Sequence, residues 1–254
     1  MPKPAKTSRN RLTRRSLSRD LIVADAVTLA DASGLEGLSM RKLAERLGVE
    51  AMSLYNYLPN KDALIDAMVD EVVGEIALPR VGKPWIVEMR GRANSASEAL
   101  LRHTWAPMPI LSRINTGPRM LAYMDRTQGC LLAAGFSHAR ADGARHLLDS
   151  HTYGYVLQEL HFPIRPEDYA ASAAAFLPTI PASTHPHLRG IAEAIVAGDY
   201  DGRNSFTFGL DLILGGLARL LAANTAPPRN GSGARNENAE AILNHSRGRS
   251  HSIG

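Results

Sequence analysis

The chain has 254 residues, 44% of them hydrophobic, with 29 Lys and Arg against 25 Asp and Glu. That is enough apolar content to bury one large core or two smaller ones, and helical periodicity with few β-branched runs points to an all-α fold. The single cysteine, Cys130, excludes an intrachain disulfide framework and suits a reducing cytoplasm, and no apolar run reads as long enough to span a bilayer, so neither a disulfide-stapled secreted protein nor a membrane protein is expected.

The charge is unevenly placed. Before Asp20 the chain carries Lys3, Lys6, Arg9, Arg11, Arg14, Arg15 and Arg19 and no acidic residue, which predicts an unfolded basic arm over residues 1–19. Alone, such an arm is a solubilising tail. Joined to a nucleic-acid-binding module, it would follow phosphates or reach the minor groove and add affinity through counterion release. A basic stretch before LIVADAVTLADASG also has the outline of a signal peptide. Asp20, Asp25 and Asp31 interrupt it at helical spacing, however, and an amphipathic first helix ending at Gly34 is the better reading.

From Ser39 to Leu64 the sequence, SMRKLAERLGVEAMSLYNYLPNKDAL, predicts two short helices around a tight turn and then a third. Ser39 is a good N-cap for a helix with apolar positions Met40, Leu43, Ala44 and Leu47, and Gly48 is placed to end it in the left-handed conformation. The next helix starts near Glu50. Between Ala51 and Tyr57 it turns Leu54 inward and leaves Ser53, Tyr55, Asn56 and Tyr57 around the rest of its circumference, with groups that hydrogen-bond phosphates and base edges. Two helices joined through glycine, the second presenting polar and aromatic side chains, is the helix-turn-helix pattern, whose second helix enters a major groove.

Asn60 caps a helix to about Ile76, with a stripe of Leu64, Met68, Val72 and Ile76, and Pro79 closes it. Further helices are predicted over Trp85–His103, over Pro118–Ala134 with Gly135 as terminator, and over His138–His161 after a Ser137 cap. A short alanine-rich helix follows Pro166, another runs from Pro186 to Ala197, and the last spans Ser205–Ala223. This last helix is apolar over too much of its circumference for the surface of a monomer, so a partner should cover part of it. After Thr225 no periodic apolar face remains and a disordered tail is expected. The organisation is therefore an arm (1–19), a helix-turn-helix domain (20–66), a helical effector-binding and dimerisation domain (67–224) and a tail (225–254).

Residues from about Asp20 to Ile76 resemble the DNA-binding domain of the TetR family of bacterial transcriptional regulators. The resemblance lies in DLIVADAVTLADASGLEGL, SMRKLAERLGV and SLYNYLPNKDAL, taken in that order. Tyr57-Leu58 stands where His-Phe is common and Ala51-Met52 occupies the helix entry, so no base preference is carried over. The resemblance and helix geometry together imply that Arg41, Met52, Ser53, Tyr55, Asn56 and Tyr57 face the groove or its walls, with Ser39 and Lys61 on phosphates.

From INTGPR to HTYGYVLQELH the chain is similar to tetracycline-responsive members of the family. Their pockets hold a magnesium chelate through a histidine before a Thr-x-Pro segment and a glutamate after a Gly-x-Val-Leu segment. Matching Thr116-Gly117-Pro118 puts Arg113 at the histidine, and matching Gly154-Tyr155-Val156-Leu157 puts Gln158 at the glutamate, with Glu159 one position on. A charged arginine cannot coordinate a cation, so a pocket without metal or cofactor is expected. Its candidate residues are Trp105, Arg113, Tyr123, Met124, Gln128, His151, Tyr155 and Gln158, where aromatic and polar groups cluster, and Arg113 would suit an anionic or strongly accepting ligand. Each also reads as core or as a solvent-facing polar group, and no HExxH, CxxC or nucleophile elbow supports catalysis.

The expected protein is a cytoplasmic, all-helical homodimer that regulates transcription, usually as a repressor, and is released from double-stranded operator DNA by a small molecule. Two alternatives remain: an architectural DNA-binding protein with a pocketless second domain, and an enzyme fused to a DNA-binding module, which would need convergent titratable groups of strongly perturbed pKa.

Overall fold

The computed structural model describes residues 17–225, so the basic arm up to Ser16 and the tail beyond Thr225 lie outside the described residues. All regular structure in the described residues is helical, as the periodicity predicts.

Helix α1 (Arg19–Gly37) begins at Ser18, whose side chain accepts the Leu21 N–H, and turns Ile22, Val23, Ala26, Val27 and Ala30 inward at helical spacing. Gly34, the expected stop, takes φ 68° and kinks the helix instead of ending it. Helix α2 (Met40–Leu47) starts where Ser39 accepts the Lys42 N–H and ends at Gly48 in the left-handed region, φ 68°. Helix α3 (Ala51–Tyr55) is two residues shorter than the predicted span, with Leu54 fully buried. Asn60 caps α4 (Lys61–Val73) by accepting the Ala63 N–H at 2.7 Å. The last turn then tightens into i to i+3 bonds through Ile76, which stays buried although the helix proper ends at Val73.

Helix α5 (Trp85–Arg102) packs on α8 (His138–His161), and α7 (Pro118–Ala133) lies against both α8 and α4. Between α5 and α7 stands α6 (Pro107–Ser112), a helix beyond those the sequence predicts. The buried residues of α1–α4 join those of α5, α7 and α8 in one connected cluster, running from Ile22 through Leu64 and Met68 to Leu100, Met120 and Val156. Helices α9 (Tyr169–Phe176) and α10 (Pro186–Ala197) pack on each other, and Gly198 ends α10 at φ 81°.

Helix α11 (Phe206–Thr225) carries an 18-residue stretch, Phe206–Ala223, of mean hydropathy 1.6, long and apolar enough to cross a membrane. This corrects the expectation that no run is so long: Asp211 and Arg219 dilute the stretch without breaking it. The chain divides into two compact units after Ala218. Up to that point the helix is docked on protein, with Leu210 and Leu214 buried, Asp211 paired with Arg90 of α5, and Phe206 stacked on His151 of α8 at 5.0 Å. Gly209 permits this approach, since a Cβ there would collide with the His151 ring. Phe208 and Leu212 face outward at 67% and 58% exposure, the uncovered apolar surface that the composition predicts.

Candidate DNA interface and effector cavity

The first candidate surface is built by α2 and α3. Because Leu54 is drawn into the core, the remaining circumference of α3 is set outward: Met52 is 73% exposed, Tyr55 and Asn56 are exposed, and Ser53 is half-buried. Arg41 is exposed and loosely paired with Glu45 at 3.6 Å, which leaves its guanidinium free to exchange partners. The Ser39 side chain is held by its capping bond, in which the oxygen accepts, so its hydroxyl proton remains available to a phosphate. Lys42, beside Arg41 and exposed, adds a cation to this face. Two side chains are tied to α1 and its entry: the Tyr57 hydroxyl donates to the Leu17 carbonyl at 3.0 Å and Lys61 Nζ donates to the Leu35 carbonyl at 3.3 Å. Both remain exposed.

The second is a cavity of about 500 Å³ between α6, α7 and α8. Ile110 and Leu111 of α6 and Met120, Tyr123 and Met124 of α7 form its apolar walls. Helix α8 supplies Arg145, His146, Asp149, Ser150, Tyr153 and Leu157. Beneath it lies a charge network. Asp149 binds Arg92 of α5 through Oδ1 and Arg145 through Oδ2 at 3.1 Å, and Arg145 reaches Asp142 at 2.8 Å. The Arg92 side chain is 1% exposed, its guanidinium lies 4.4 Å from the Tyr123 ring centre, and its Nε has no hydrogen-bond partner. Burial, reinforced by Asp149, pushes the Tyr123 and Tyr153 phenols far above their ordinary range, so both stay neutral hydrogen-bonding groups and neither offers a base.

Of the eight residues assigned to the pocket by sequence, Tyr123 and Met124 line this cavity. Trp105 is buried in the core and donates from Nε1 to Asp31 of α1 at 2.8 Å. Gln128 bonds Asp142, His151 and Tyr155 pack on Phe206, and Gln158 accepts from Asn204. The reason is helical phase. Positions 146, 149, 150, 153 and 157 make one stripe of α8 and face the cavity; 151, 155 and 158 make the next stripe, and His151 and Tyr155 on it meet α11. Both stripes contain aromatic and polar residues, so residue type alone does not separate them.

Arg113 has turned to α4. Its Nε donates to Asp66 at 2.7 Å, and its Nη1 and Nη2 reach the side chain and carbonyl of Asp62. The grip continues along the segment: Asn115 donates to the Asp66 carbonyl, and the Asp70 carboxylate accepts the Met120 and Arg119 N–H groups at the start of α7. Gly117 is required there, since a Cβ would strike the Asp70 carboxylate. Two of the three helices that wall the cavity, α6 and α7, are thus bonded, directly or through their linker, to the helix that follows α3. Among the described residues no group of three or more His, Cys, Asp or Glu is placed to share a metal ion.

Gly154 lies on the cavity face of α8, and a methyl group added at its Cα would meet no atom within 4 Å. Gly154→Ala is therefore expected to stabilise the fold by roughly 0.5–1 kcal/mol, the ordinary helix-interior penalty of glycine. A lower urea midpoint for the variant would contradict that.

Two family models match the chain: one described as bacterial regulatory proteins, tetR family, over residues 22–68, and one described as tetracyclin repressor-like, C-terminal domain, over 78–221. An HTH-type transcriptional regulator of Saccharopolyspora erythraea is 33% identical over 213 residues, covering 77% of this chain and 89% of its own. The class A tetracycline repressor protein from transposon 1721 of Escherichia coli is 32% identical over 224 residues, covering 85% and 98%. Among solved structures, the Streptomyces coelicolor protein ActR in complex with actinorhodin superposes with a TM-score of 0.71 at 28% identity, covering 83% of this chain and all of that one.

Proposed function

The chain belongs to the TetR family of bacterial transcriptional regulators, and we propose that it acts as a cytoplasmic repressor whose homodimer leaves its operator when a small molecule fills the α6–α7–α8 cavity. The observation that carries this reading is the bonding of the cavity's α6–α7 walls to α4 through Arg113, Asn115 and Asp70. A ligand that binds one arrangement of α6 and α7 better necessarily biases α4, and with it α3. Paired recognition helices must match half-sites about 34–36 Å apart, so displacing them by a few ångströms loses simultaneous major-groove contact. Pairing two copies through the exposed Phe208 and Leu212 face of α11 covers its apolar surface and supplies the two readers.

The architectural alternative is disfavoured by the cavity itself. An enzymatic reading has no support among the relatives, which are transcriptional regulators.

The effector chemistry shifts with Arg113 bonded to α4. Arg92 and Arg145 balance Asp142 and Asp149, so the cavity does not demand an anion. A planar, largely apolar molecule with hydrogen-bonding substituents fits the aromatic and methionine walls, with Ser150, Tyr153 and His146 as polar contacts. ActR is crystallised in complex with actinorhodin, so a related fold holds a small molecule. The test is to select operator sites from random duplexes and titrate the complex with aromatic compounds. Release by one of them, abolished when Gly154→Phe fills the cavity, is expected. Magnesium–tetracycline should leave the complex intact, because Arg113 and Gln158 stand where the chelating histidine and glutamate would be. Magnesium-dependent release would show the metal-free assignment to be wrong.

For the DNA face, Lys61→Ala should weaken binding to all sequences alike and flatten the dependence of log K on log salt by about one unit. An unchanged affinity and slope would remove Lys61 from the phosphate contacts.

A further inference from the structure

We propose that Tyr123 and Tyr153 are the specificity-determining pair of the α6–α7–α8 cavity, two phenol donors that select an effector by an uncharged carbonyl oxygen held between them. This rests on the reading of that cavity as the effector site.

The two rings reach the cavity from different helices, Tyr123 from α7 and Tyr153 from the inward stripe of α8. Tyr123 is 4% exposed. Burial pushes its phenol up against the pull of the Arg92 cation, and Asp149 and Tyr153 add to the push. For Tyr153 burial again comes first and Asp149 second, so both hydroxyls keep their protons in the field of one carboxylate. That carboxylate does not serve them: Asp149 gives one oxygen to Arg92 and the other to Arg145. Among the described residues, Arg92 Nε is the one sealed side-chain nitrogen or oxygen without a hydrogen-bond partner. The two phenol oxygens, also unpartnered there, therefore open on the cavity they line. Buried hydroxyls are normally bonded, and two left unmet on one cavity are a demand for an acceptor.

A carbonyl oxygen meets that demand, because its two lone pairs accept one bond from each phenol. A carboxylate on the ligand would set a second negative charge near Asp149, while Arg92 and Arg145 are already committed to Asp149 and Asp142. An ammonium would find those carboxylates engaged and leave the phenol protons unmet. Around the pair, Met120, Met124 and Leu157 offer apolar contact to a flat hydrocarbon frame. The ligand class that results is an aryl ketone or quinone without net charge at the buried end.

Fluorenone and fluorene share one planar frame and differ by a single carbonyl oxygen, so the ratio of their affinities for the full chain reads the phenol pair. Wild type should prefer fluorenone by about 25-fold, about fivefold from each hydroxyl. Tyr123→Phe and Tyr153→Phe should each lower that preference about fivefold, and the double variant should bind the two compounds alike. Fluorene affinity should stay as in wild type, and so should the melting temperature, since neither hydroxyl has a bond to lose. Equal affinities in wild type, or a preference that survives in the double variant, would overturn the proposal. Tighter binding of a carboxylate-substituted fluorene than of fluorenone would do the same, because the cavity would then be an anion site. Gly154→Phe tells these failures from failure of the underlying reading. Loss of both compounds in that variant puts them in the cavity and leaves the ratio to judge the phenols alone. Binding untouched by the filled cavity, or no binding of either compound to wild type, would overturn the effector-site reading and the proposal with it.

Discussion

Replacing Asp149 with leucine is expected to destabilise the protein by about 3–5 kcal/mol, more than any other single change considered. Asp149 is the only carboxylate bonded to Arg92 among the described residues, and Arg92 is buried with one N–H already unpartnered. A lysine so stranded would shed its proton and lower the cost, but a guanidinium cannot. The Tyr123 ring face offsets part of the penalty, and Arg145 keeps Asp142, so the loss falls on Arg92. The sign of a second experiment separates this account from general damage to the core. Arg92→Met combined with Asp149→Leu removes both charges, and hydrophobic replacement of a buried pair is close to neutral, so most of the stability should return. Urea midpoints with m-values for both variants decide it. A single variant within about 0.5 kcal/mol of wild type, or a double variant no better than the single, would show that the pair does not hold the helices α5 and α8 as described.

The elements legible in the sequence are those whose cause is local. Ser39, Gly48 and Asn60 act on backbone groups within three or four residues, so residue type and spacing suffice to place them. The presentation of α3 follows equally from one position, Leu54, being apolar among polar neighbours. Helix α6 was not legible, because six residues with Pro107 and Pro109 carry no period to detect. The cavity was half legible. That α7 and α8 contribute was readable, but which stripe of α8 faces inward is decided by where α11 docks, through a contact 55 residues away between His151 and Phe206. Carrying a pocket role to Arg113 by position overlooked Asp62 and Asp66, one turn apart on α4 and 47 to 51 residues upstream, which together attract a guanidinium more strongly than an apolar cavity does. At Gly34 the glycine marks the break correctly, while the helix resumes beyond it to Gly37.

Arg113→Ala is expected to abolish most of the coupling between effector and operator while leaving the fold nearly untouched. Arg113 is the side chain that joins the end of α6 to two carboxylates of α4, and its bonds to Asp66 and Asp62 run through different nitrogens of one rigid fork. These groups are partly exposed, so as ion pairs they contribute only about 0–1 kcal/mol to stability, and the variant should fold and bind DNA. Their mechanical role is larger than their energy. Coupling free energies of about 1–3 kcal/mol change operator affinity 5- to 150-fold, and a linkage of that size needs a contact that differs between two arrangements, the role expected of Arg113. With Arg113 removed, the compound that releases the wild-type protein should still bind the cavity but shift operator affinity by no more than a few-fold. Arg113→Lys should fail to restore the response, since one ammonium cannot reproduce the two-carboxylate fork. Asp66→Ala, which cuts the same clasp from the α4 side, should behave alike. Operator affinities with and without saturating compound give the ratio for each variant, and reciprocity requires the same ratio in compound affinity with and without operator. An Arg113→Ala protein that responds as strongly as wild type would move the transmission path to Asp70 and the start of α7, a second link between the cavity wall and α4.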